Sequence, residues 1–182
     1  MTDTHQEESF WRKYIFSIDH KVIGIQYGIT SLLFLLFGFS LMLLMRWQLA
    51  YPNQPLPFVG WRLSPDMYNS FGAMHGTIMI FLGVVPIVVG AFGNYLVPLQ
   101  IGACDMAFPK LNMASYWSYF IGGIVMLTGF ILPGGAASSG WTSYPPLSVV
   151  ATTGQTVWLI GMVFLITSSL LGSINIIVTV VQ

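Results

Sequence analysis

One histidine stands inside a long uncharged stretch of this sequence. Residues 68–100 contain no Asp, Glu, Lys or Arg, and His75 is the one side chain there that titrates near neutral pH. An imidazole in a membrane helix needs a partner, because burying it unpaired is costly. Histidine is a common axial ligand of haem iron, and Gly76, Gly83 and Gly90 would leave one side of the helix bare for a large, flat group. The alternative is a structural histidine bonded to a neighbouring helix, with the glycines serving helix packing.

A second group of residues carries hydroxyl, amide and carboxyl side chains. Asn94 lies nineteen residues after His75, about 28 Å along an α-helix, so one helix would connect the two groups. Asp105 follows in the connector after this helix. A carboxylate at the entrance of a channel that is lined by amides and hydroxyls could hold a chain of water molecules that conducts protons. The candidates at this end are Tyr27, Asn94, Asp105, Asn112, Ser115, Ser168, Gly172, Asn175 and Thr179. The alternative is that these amides and hydroxyls join helices and that Asp105 is a solvated loop residue.

The composition defines the environment in which both groups must be positioned. The chain has 182 residues, of which 55% are hydrophobic and 7% charged, with a mean hydropathy of +0.75. A soluble domain is about a quarter charged, so we expect an integral membrane protein. The formal net charge of zero gives no indication of a nucleic-acid partner, and the single cysteine excludes an internal disulfide.

The charged residues leave three long uncharged stretches, at 22–45, 67–104 and 111–182, and the last is long enough for two spans and a loop. We predict an all-α membrane protein with spans at about 22–46, 66–100, 113–132 and 156–181. Residues 10–16 are aromatic and basic and predict an amphipathic segment on the membrane surface. The basic residues on one side are Arg12, Lys13, Lys21 and Lys110, and those on the other are Arg46 and Arg62. This asymmetry predicts that the N-terminus lies inside.

On this layout His75 shares the outer side with three further candidates. Arg46 ends the first span, and Trp141 and Tyr144 lie in the loop between the third and fourth spans. Taken alone, Arg46 is more often an anchor at the membrane interface than a ligand-binding residue.

Six segments of the chain closely resemble subunit I of the haem-copper oxidases, the catalytic subunit of cytochrome c oxidase. They are SIDHK at 17–21, MHGTIMIF at 74–81, FGNYLVPL at 92–99, IGACDMAFP at 101–109, GWTSYPPL at 140–147 and SSLLGSIN at 168–175. The resemblance covers essentially the whole chain in order. It implies a single domain over 1–182 that corresponds to the first four of that family's twelve transmembrane helices.

The resemblance implies haem chemistry on the outer side. His75 falls where the family has one of the two axial histidines of the low-spin haem. Arg46 looks like the arginine that hydrogen-bonds the formyl group of haem a, which makes haem a the expected type. Trp141 and Tyr144 belong to a loop that in the family lies near the haem propionates.

The resemblance also implies a proton-uptake channel on the inner side. Asp105 matches the carboxylate at the channel entrance. The positions that match the channel lining are Tyr27, Asn94, Asn112, Ser115, Ser168, Ser169 and Asn175. The nitric oxide reductases, distant relatives, lack this pattern, which favours oxygen reduction coupled to proton pumping.

Some positions depart from the patterns of particular family members. Ubiquinol-oxidising members carry Asp, His and Gln where this chain has Ala50, Met67 and Ser70, which favours cytochrome c as the electron donor. Members that bind a calcium or sodium ion have Glu where this chain has Gln48, so we do not expect that ion.

The resemblance implies that several cofactor ligands of the enzyme lie outside these four helices. In the family, the second axial histidine, the ligands of the high-spin haem and those of copper B lie beyond the fourth helix. His20 would be on the wrong side of the membrane and His5 in a polar tail, so we expect that this chain cannot reduce oxygen alone. It is either a piece of a longer subunit or one part of a split subunit.

The expected partners follow from the same resemblance. They are membrane lipid, the rest of subunit I, subunit II with its copper A centre, subunit III and cytochrome c, in a bacterial plasma membrane or a mitochondrial inner membrane. The alternative function is a polytopic transporter or proton channel without redox chemistry.

Overall fold

The computed structural model describes residues 9–57 and 60–182 and is built on four long helices. They are α1 (His20–Ala50), α2 (Pro65–Ile101), α3 (Pro109–Thr128) and α4 (Thr153–Val181). All four are long and apolar enough to cross a membrane, and the described residues contain no β-strand. The predicted all-α class with four spans is therefore confirmed, although each helix begins before its predicted start. His5 lies outside the described residues.

Short segments connect and precede these helices. A single wide turn, Trp11–Ile15, precedes α1, and Gln26 of α1 donates from Nε2 to the carbonyl oxygens of Tyr14 and Ile15 at 2.6 and 2.9 Å. A 3₁₀ turn, Gly129–Ile131, extends α3, and the loop before α4 contains one helical turn, Leu147–Val150. The exposed aromatic side chains of the N-terminal segment agree with the membrane-surface segment that the sequence predicts, which stays a prediction.

The glycine stripe of α2 faces α1. A Cβ atom at Gly90 would lie 2.6 Å from Cδ1 of Tyr27, and one at Gly83 would overlap the side chain of Leu35. These two glycines therefore admit side chains of α1, and their interpretation as a bare face for a flat group is wrong. Gly76 is different, because a Cβ atom there would meet Cδ1 of Trp141 at 3.5 Å, an ordinary contact.

Helices α3 and α4 form the second close pair. A Cβ atom at Gly122 would lie 3.0 Å from the carbonyl oxygen of Gly161, and the reciprocal distance is also 3.0 Å. Small residues allow membrane helices to approach this closely, which increases van der Waals contact where lipid offers no hydrophobic driving force.

Two prolines interrupt the hydrogen-bond ladder of α2. The helix widens into π-helical turns over Ile78–Val84 and Pro86–Gly93, on either side of Val85. It returns to α-helical geometry over Asn94–Ile101, a segment that contains Pro98. Proline has no N–H, so each one removes a donor from the ladder; at Pro98, in the α-helical segment, the carbonyl oxygen left without its usual donor is that of Asn94.

Candidate functional site

Helices α1 and α2 run antiparallel, and side-chain bonds at their two ends define the register. His75 Nδ1 lies 2.9 Å from the carbonyl oxygen of Gly38, and His20 Nδ1 lies 2.9 Å from that of Asn94. The histidine and the polar group of residues thus lie toward opposite ends of the bundle.

The hydrogen bond of His75 determines its tautomer. A carbonyl oxygen only accepts, so Nδ1 carries the proton that bonds to Gly38, and Nε2 of the neutral ring keeps a free lone pair. Metal-ligating histidines commonly donate their other ring N–H to a backbone carbonyl in this way. The side chain is half-buried. The imidazole is therefore oriented by α1 and can use Nε2 as a ligand.

The other three residues predicted to share a site with His75 lie at different distances from it. Trp141 contacts α2 one residue beyond it, at Gly76, and its ring centroid lies 6.1 Å from that of Phe81. Arg46 is exposed at the end of α1, eight residues past Gly38, and Tyr144 is 76% exposed. The structure brings Trp141 next to the histidine-bearing segment and leaves Arg46 and Tyr144 on the surface of the described residues.

Three hydroxyls toward the end of the bundle opposite His75 form a connected cluster. Ser115 and Ser168 each donate to the other's backbone carbonyl, at 2.9 and 2.7 Å. Both serine protons are thereby used, so the one proton of the Tyr27 hydroxyl points to the serine oxygens, of which Ser115 Oγ at 2.7 Å is nearer than Ser168 Oγ at 3.1 Å. The cluster joins α1, α3 and α4, which is the helix-joining role given above as the alternative.

The same hydroxyls line a cavity of about 450 Å³ between α2 and α4. Five of the predicted channel residues are in its wall: Tyr27, Asn94, Ser115, Ser168 and Ser169. Most of the remaining wall is apolar and includes Phe81, Val85 and Leu165. The cavity therefore has a polar strip along an otherwise apolar surface.

Three buried amides near this end have atoms without partners among residues 9–57 and 60–182. Asn112 is completely buried, and neither its Oδ1 nor its Nδ2 is hydrogen-bonded there. Asn94 Oδ1 and Asn175 Nδ2 are likewise unpaired. Buried polar atoms nearly always have a partner in the protein or in ordered water.

Asp105 lies in the connector between α2 and α3. It is half-buried, and its Oδ1 accepts a hydrogen bond from the backbone N–H of Met106 at 2.7 Å. The connector is attached to α4 by Ala107 N–H, which donates to Thr179 Oγ1 at 2.9 Å, and by Phe108 N–H, which donates to Asn175 at 2.8 Å. The polar face predicted for α4 therefore holds the segment that carries the carboxylate.

The comparison with known proteins identifies the family. The family model described as Cytochrome C and Quinol oxidase polypeptide I matches residues 22–182. The chain belongs to this family. The resemblance that the six sequence segments indicated is thus confirmed.

Two relatives of this chain are named cytochrome c oxidase subunit 1. The protein of Thermostichus vulcanus is 48% identical over 178 residues, and the alignment covers 97% of this chain and 31% of the relative. The protein of Synechocystis sp. is 43% identical over 183 residues, and the alignment covers 100% of this chain and 32% of the relative. An alternative cytochrome c oxidase subunit 1 from Bradyrhizobium diazoefficiens is 38% identical over 187 residues, and the alignment covers 99% of this chain and 30% of the relative. The chain spans about a third of the length of the relatives it matches.

One residue of this oxidase chain was missed by the sequence reasoning. His20 was considered only as a haem ligand and set aside, yet it is 2% exposed and donates to the carbonyl oxygen of Asn94. Pro98 has no N–H for that oxygen, so the imidazole supplies a donor in its place. The proline was the available signal, because it predicts a carbonyl that a neighbouring helix must satisfy.

The oxidase chain does not contain a self-sufficient metal site in the part that the structure describes. No group of three or more His, Cys, Asp or Glu side chains in residues 9–57 and 60–182 could hold a metal ion.

Proposed function

We propose that this chain is part of the catalytic subunit of a proton-pumping cytochrome c oxidase. It would supply one axial ligand of a low-spin haem and the entrance of the proton-uptake channel. The observation that carries this proposal is the orientation of His75 by Gly38 at one end of a helix pair whose other end borders a cavity with a strip of polar side chains. Family membership and relatives named cytochrome c oxidase subunit 1 support it.

The residues on the outer side fit a haem. His75 has a fixed Nδ1–H and a free Nε2 lone pair, which is the donor that haem iron takes. A bound low-spin haem, with haem a the type we expect, would accept and pass on single electrons. Arg46 would donate to its formyl group, and Trp141 and Tyr144 would lie near its propionates. Trp141 already contacts α2 beside the histidine.

The residues on the inner side fit a chain of water. Asp105 would collect protons at the mouth, and Asn94, Asn112 and Asn175 have buried amide atoms that need partners water can provide. Tyr27, Ser115, Ser168 and Ser169 would continue the path along the cavity wall. Water in such a path moves protons and excludes larger ions.

In this proposal the haem and the proton channel lie at opposite ends of the bundle so that the reaction can store energy across the membrane. Electrons enter from the outer side and protons from the inner side, and each charge moved across the membrane stores about 2.3 kcal/mol per 100 mV. The apolar middle of the bundle would insulate one path from the other. The N-terminus would lie inside, in a bacterial plasma membrane or a mitochondrial inner membrane.

The proposal requires partners. The rest of subunit I would supply the second axial histidine, the high-spin haem and copper B, and complete a single domain with this chain. Subunit II with copper A would deliver electrons from cytochrome c, and subunit III would complete the assembly.

The direct test is the optical spectrum of the purified complex with His75→Ala. We expect the low-spin haem band to disappear, because the iron loses an axial ligand. His20→Ala is the matched control, since this histidine is also buried in α1–α2 packing but lies at the other end. An unchanged low-spin band in His75→Ala would contradict the haem assignment.

A further inference from the structure

The turn that carries Trp141 is attached to a side chain of α4. Trp141 is the second residue of this turn, which the N–H of Ser143 closes by donating to the carbonyl oxygen of Gly140 at 3.2 Å. Gln155, in the first turn of α4, donates from Nε2 to Ser143 Oγ at 2.8 Å. Gln155 is 3% exposed, so the bond is made from the interior of the bundle. A buried helix residue therefore holds the residue that closes the turn.

The bond supports a backbone conformation that serine seldom adopts. Ser143 has a φ angle of 50°, in the left-handed region that favours glycine. A residue with a side chain pays a steric cost in this region. The hydrogen bonds that Ser143 makes to Gly140 and to Gln155 oppose that cost. Loss of the bond to Gln155 would therefore loosen the whole turn.

The same part of α4 is bonded to the segment of α2 that carries His75. Trp158, three residues after Gln155, is 5% exposed and donates from Nε1 to Thr77 Oγ1 at 3.2 Å. Thr77 is 1% exposed and lies two residues beyond His75. Residues three apart lie on one face of a helix. One face of α4 thus holds both the turn with Trp141 and the helix with His75.

The beginning of the loop between α3 and α4 is held by other contacts. Ser70 of α2 donates from Oγ to the carbonyl oxygen of Ala136 at 3.0 Å, and both residues are buried. A Cβ atom at Gly154 would overlap the carbonyl oxygen of Gly135, so the loop backbone lies directly against the start of α4. Neither contact involves Gln155. A change at Gln155 should therefore act on the Trp141 turn and leave the beginning of the loop in place.

We propose that Gln155 is a positioning residue that holds Trp141 against α2 beside His75. Through Ser143 it fixes the turn, and the turn places the indole of Trp141 at Gly76, where an added Cβ atom would meet Cδ1 at 3.5 Å. The effect of this placement on a low-spin haem rests on the proposed function, whereas the placement itself does not.

The first test is hydrogen–deuterium exchange of the assembled oxidase complex, measured at the Ser143 amide. Gln155→Leu keeps a side chain of similar size and removes the donor, and Ser143→Ala removes the acceptor. We expect the Ser143 amide to exchange about 2- to 12-fold faster in each variant, the factor for the net loss of one hydrogen bond. Because both substitutions remove the same bond, the double variant should exchange no faster than the faster single variant.

The second readout is the reduction potential of the low-spin haem in the same complex. The low-spin band should persist in Gln155→Leu, since His75 is unchanged. Its potential should shift in the same direction as in Trp141→Leu, and the double variant should shift no further than Trp141→Leu alone. A residue that only stabilised the bundle would leave the potential unchanged or would add its own shift.

Ser139→Ala is the matched control. Ser139 is a serine of the same loop, is 8% exposed, and its Oγ has no hydrogen bond within residues 9–57 and 60–182. We expect wild-type exchange of the Ser143 amide and a wild-type haem potential in this variant. If Gln155→Leu does not assemble, Ser143→Ala decides the question by the same measurements, since its side chain is only half-buried.

Three results would overturn the proposal. They are wild-type exchange in both variants that lack the bond, exchange as fast in Ser139→Ala, and potential shifts of Gln155→Leu and Trp141→Leu that add in the double variant. Faster exchange with an unchanged potential in both Gln155→Leu and Trp141→Leu would support the positioning of Trp141. That result would instead count against the place of Trp141 near a haem in the proposed function.

Discussion

The contact between Gly90 and Tyr27 yields a quantitative prediction for Gly90→Ala. The added Cβ would lie 2.6 Å from Cδ1 of Tyr27, whereas carbon atoms in contact are about 3.5 Å apart or more, so the ring must move by about 1 Å. The Tyr27 hydroxyl is 2.7 Å from Ser115 Oγ, and a displacement of that size away from the serine would take it beyond hydrogen-bonding distance. Overpacking costs about 1–3 kcal/mol and the lost bond about 1 kcal/mol, which together destabilise the bundle by about 2–4 kcal/mol.

A matched substitution separates this overlap from the effect of alanine itself. Gly28 lies on the facing helix, and a Cβ atom there would meet Cβ of Ala91 at 3.6 Å, an ordinary contact. Replacing glycine by alanine in a helix stabilises it by about 1 kcal/mol at either position. The difference between the two variants in the free energy of unfolding therefore measures the overlap with the tyrosine. We expect Gly28→Ala to be neutral or stabilising.

The assay is the unfolding of the purified complex in SDS, followed by circular dichroism and by the haem absorbance. Gly90→Ala should unfold at a clearly lower SDS fraction than Gly28→Ala, and Tyr27→Leu in the Gly90→Ala background should recover part of the loss. Equal midpoints for the two glycine variants would refute the packing argument. A loss in Gly90→Ala that Tyr27→Leu leaves unchanged would show that the tyrosine is not the obstacle.

Two further predictions concern the inner end. Asp105→Asn keeps a side-chain oxygen that can accept from the Met106 N–H but removes the carboxylate that accepts protons. We therefore expect normal haem absorbance, with proton uptake slowed by about 10²-fold or more. Normal turnover and a normal proton stoichiometry in vesicles would contradict the channel role. His20→Leu should destabilise the complex by about 1–3 kcal/mol because Asn94 loses a buried donor, and Pro98→Ala should remove most of that penalty. Equal penalties with and without Pro98 would show that the imidazole does not replace the proline's missing N–H.

The sequence could predict the fold because the membrane imposes simple rules on it. Three uncharged runs, the last of them interrupted by a loop rich in Gly, Ser and Pro, predict the four helices, and the end of one helix must lie on the same side as the start of the next. His75 and Asn94 share the one helix α2, so their positions toward opposite ends of the bundle follow directly, although the π-helical turns between them change the rise per residue. The spacing of Ser168, Gly172, Asn175 and Thr179 likewise predicted a common face, and the structure directs Asn175 and Thr179 to the connector before α3.

The site was less predictable because spacing identifies a face but not the surface against which it packs. The glycines of α2 could have faced a cofactor or a helix, and Gly83 and Gly90 face α1. In a membrane, lipid is as apolar as leucine, so hydropathy gives no signal that distinguishes these faces. The choice depends on shape complementarity between complete helices.

The sequence by itself determined the environment, the number and order of the helices and the chemical types available at each end of the bundle. Tertiary structure alone decided which atoms meet: the tautomer of His75 against Gly38, the donation by Tyr27 to Ser115, and the bond of His20 to the carbonyl oxygen of Asn94. The physical reason is the distance along the chain over which each effect acts. Helix geometry and membrane partition can be predicted from nearby residues, whereas each of these bonds joins residues at least 37 positions apart and forms only when two helices pack in one register.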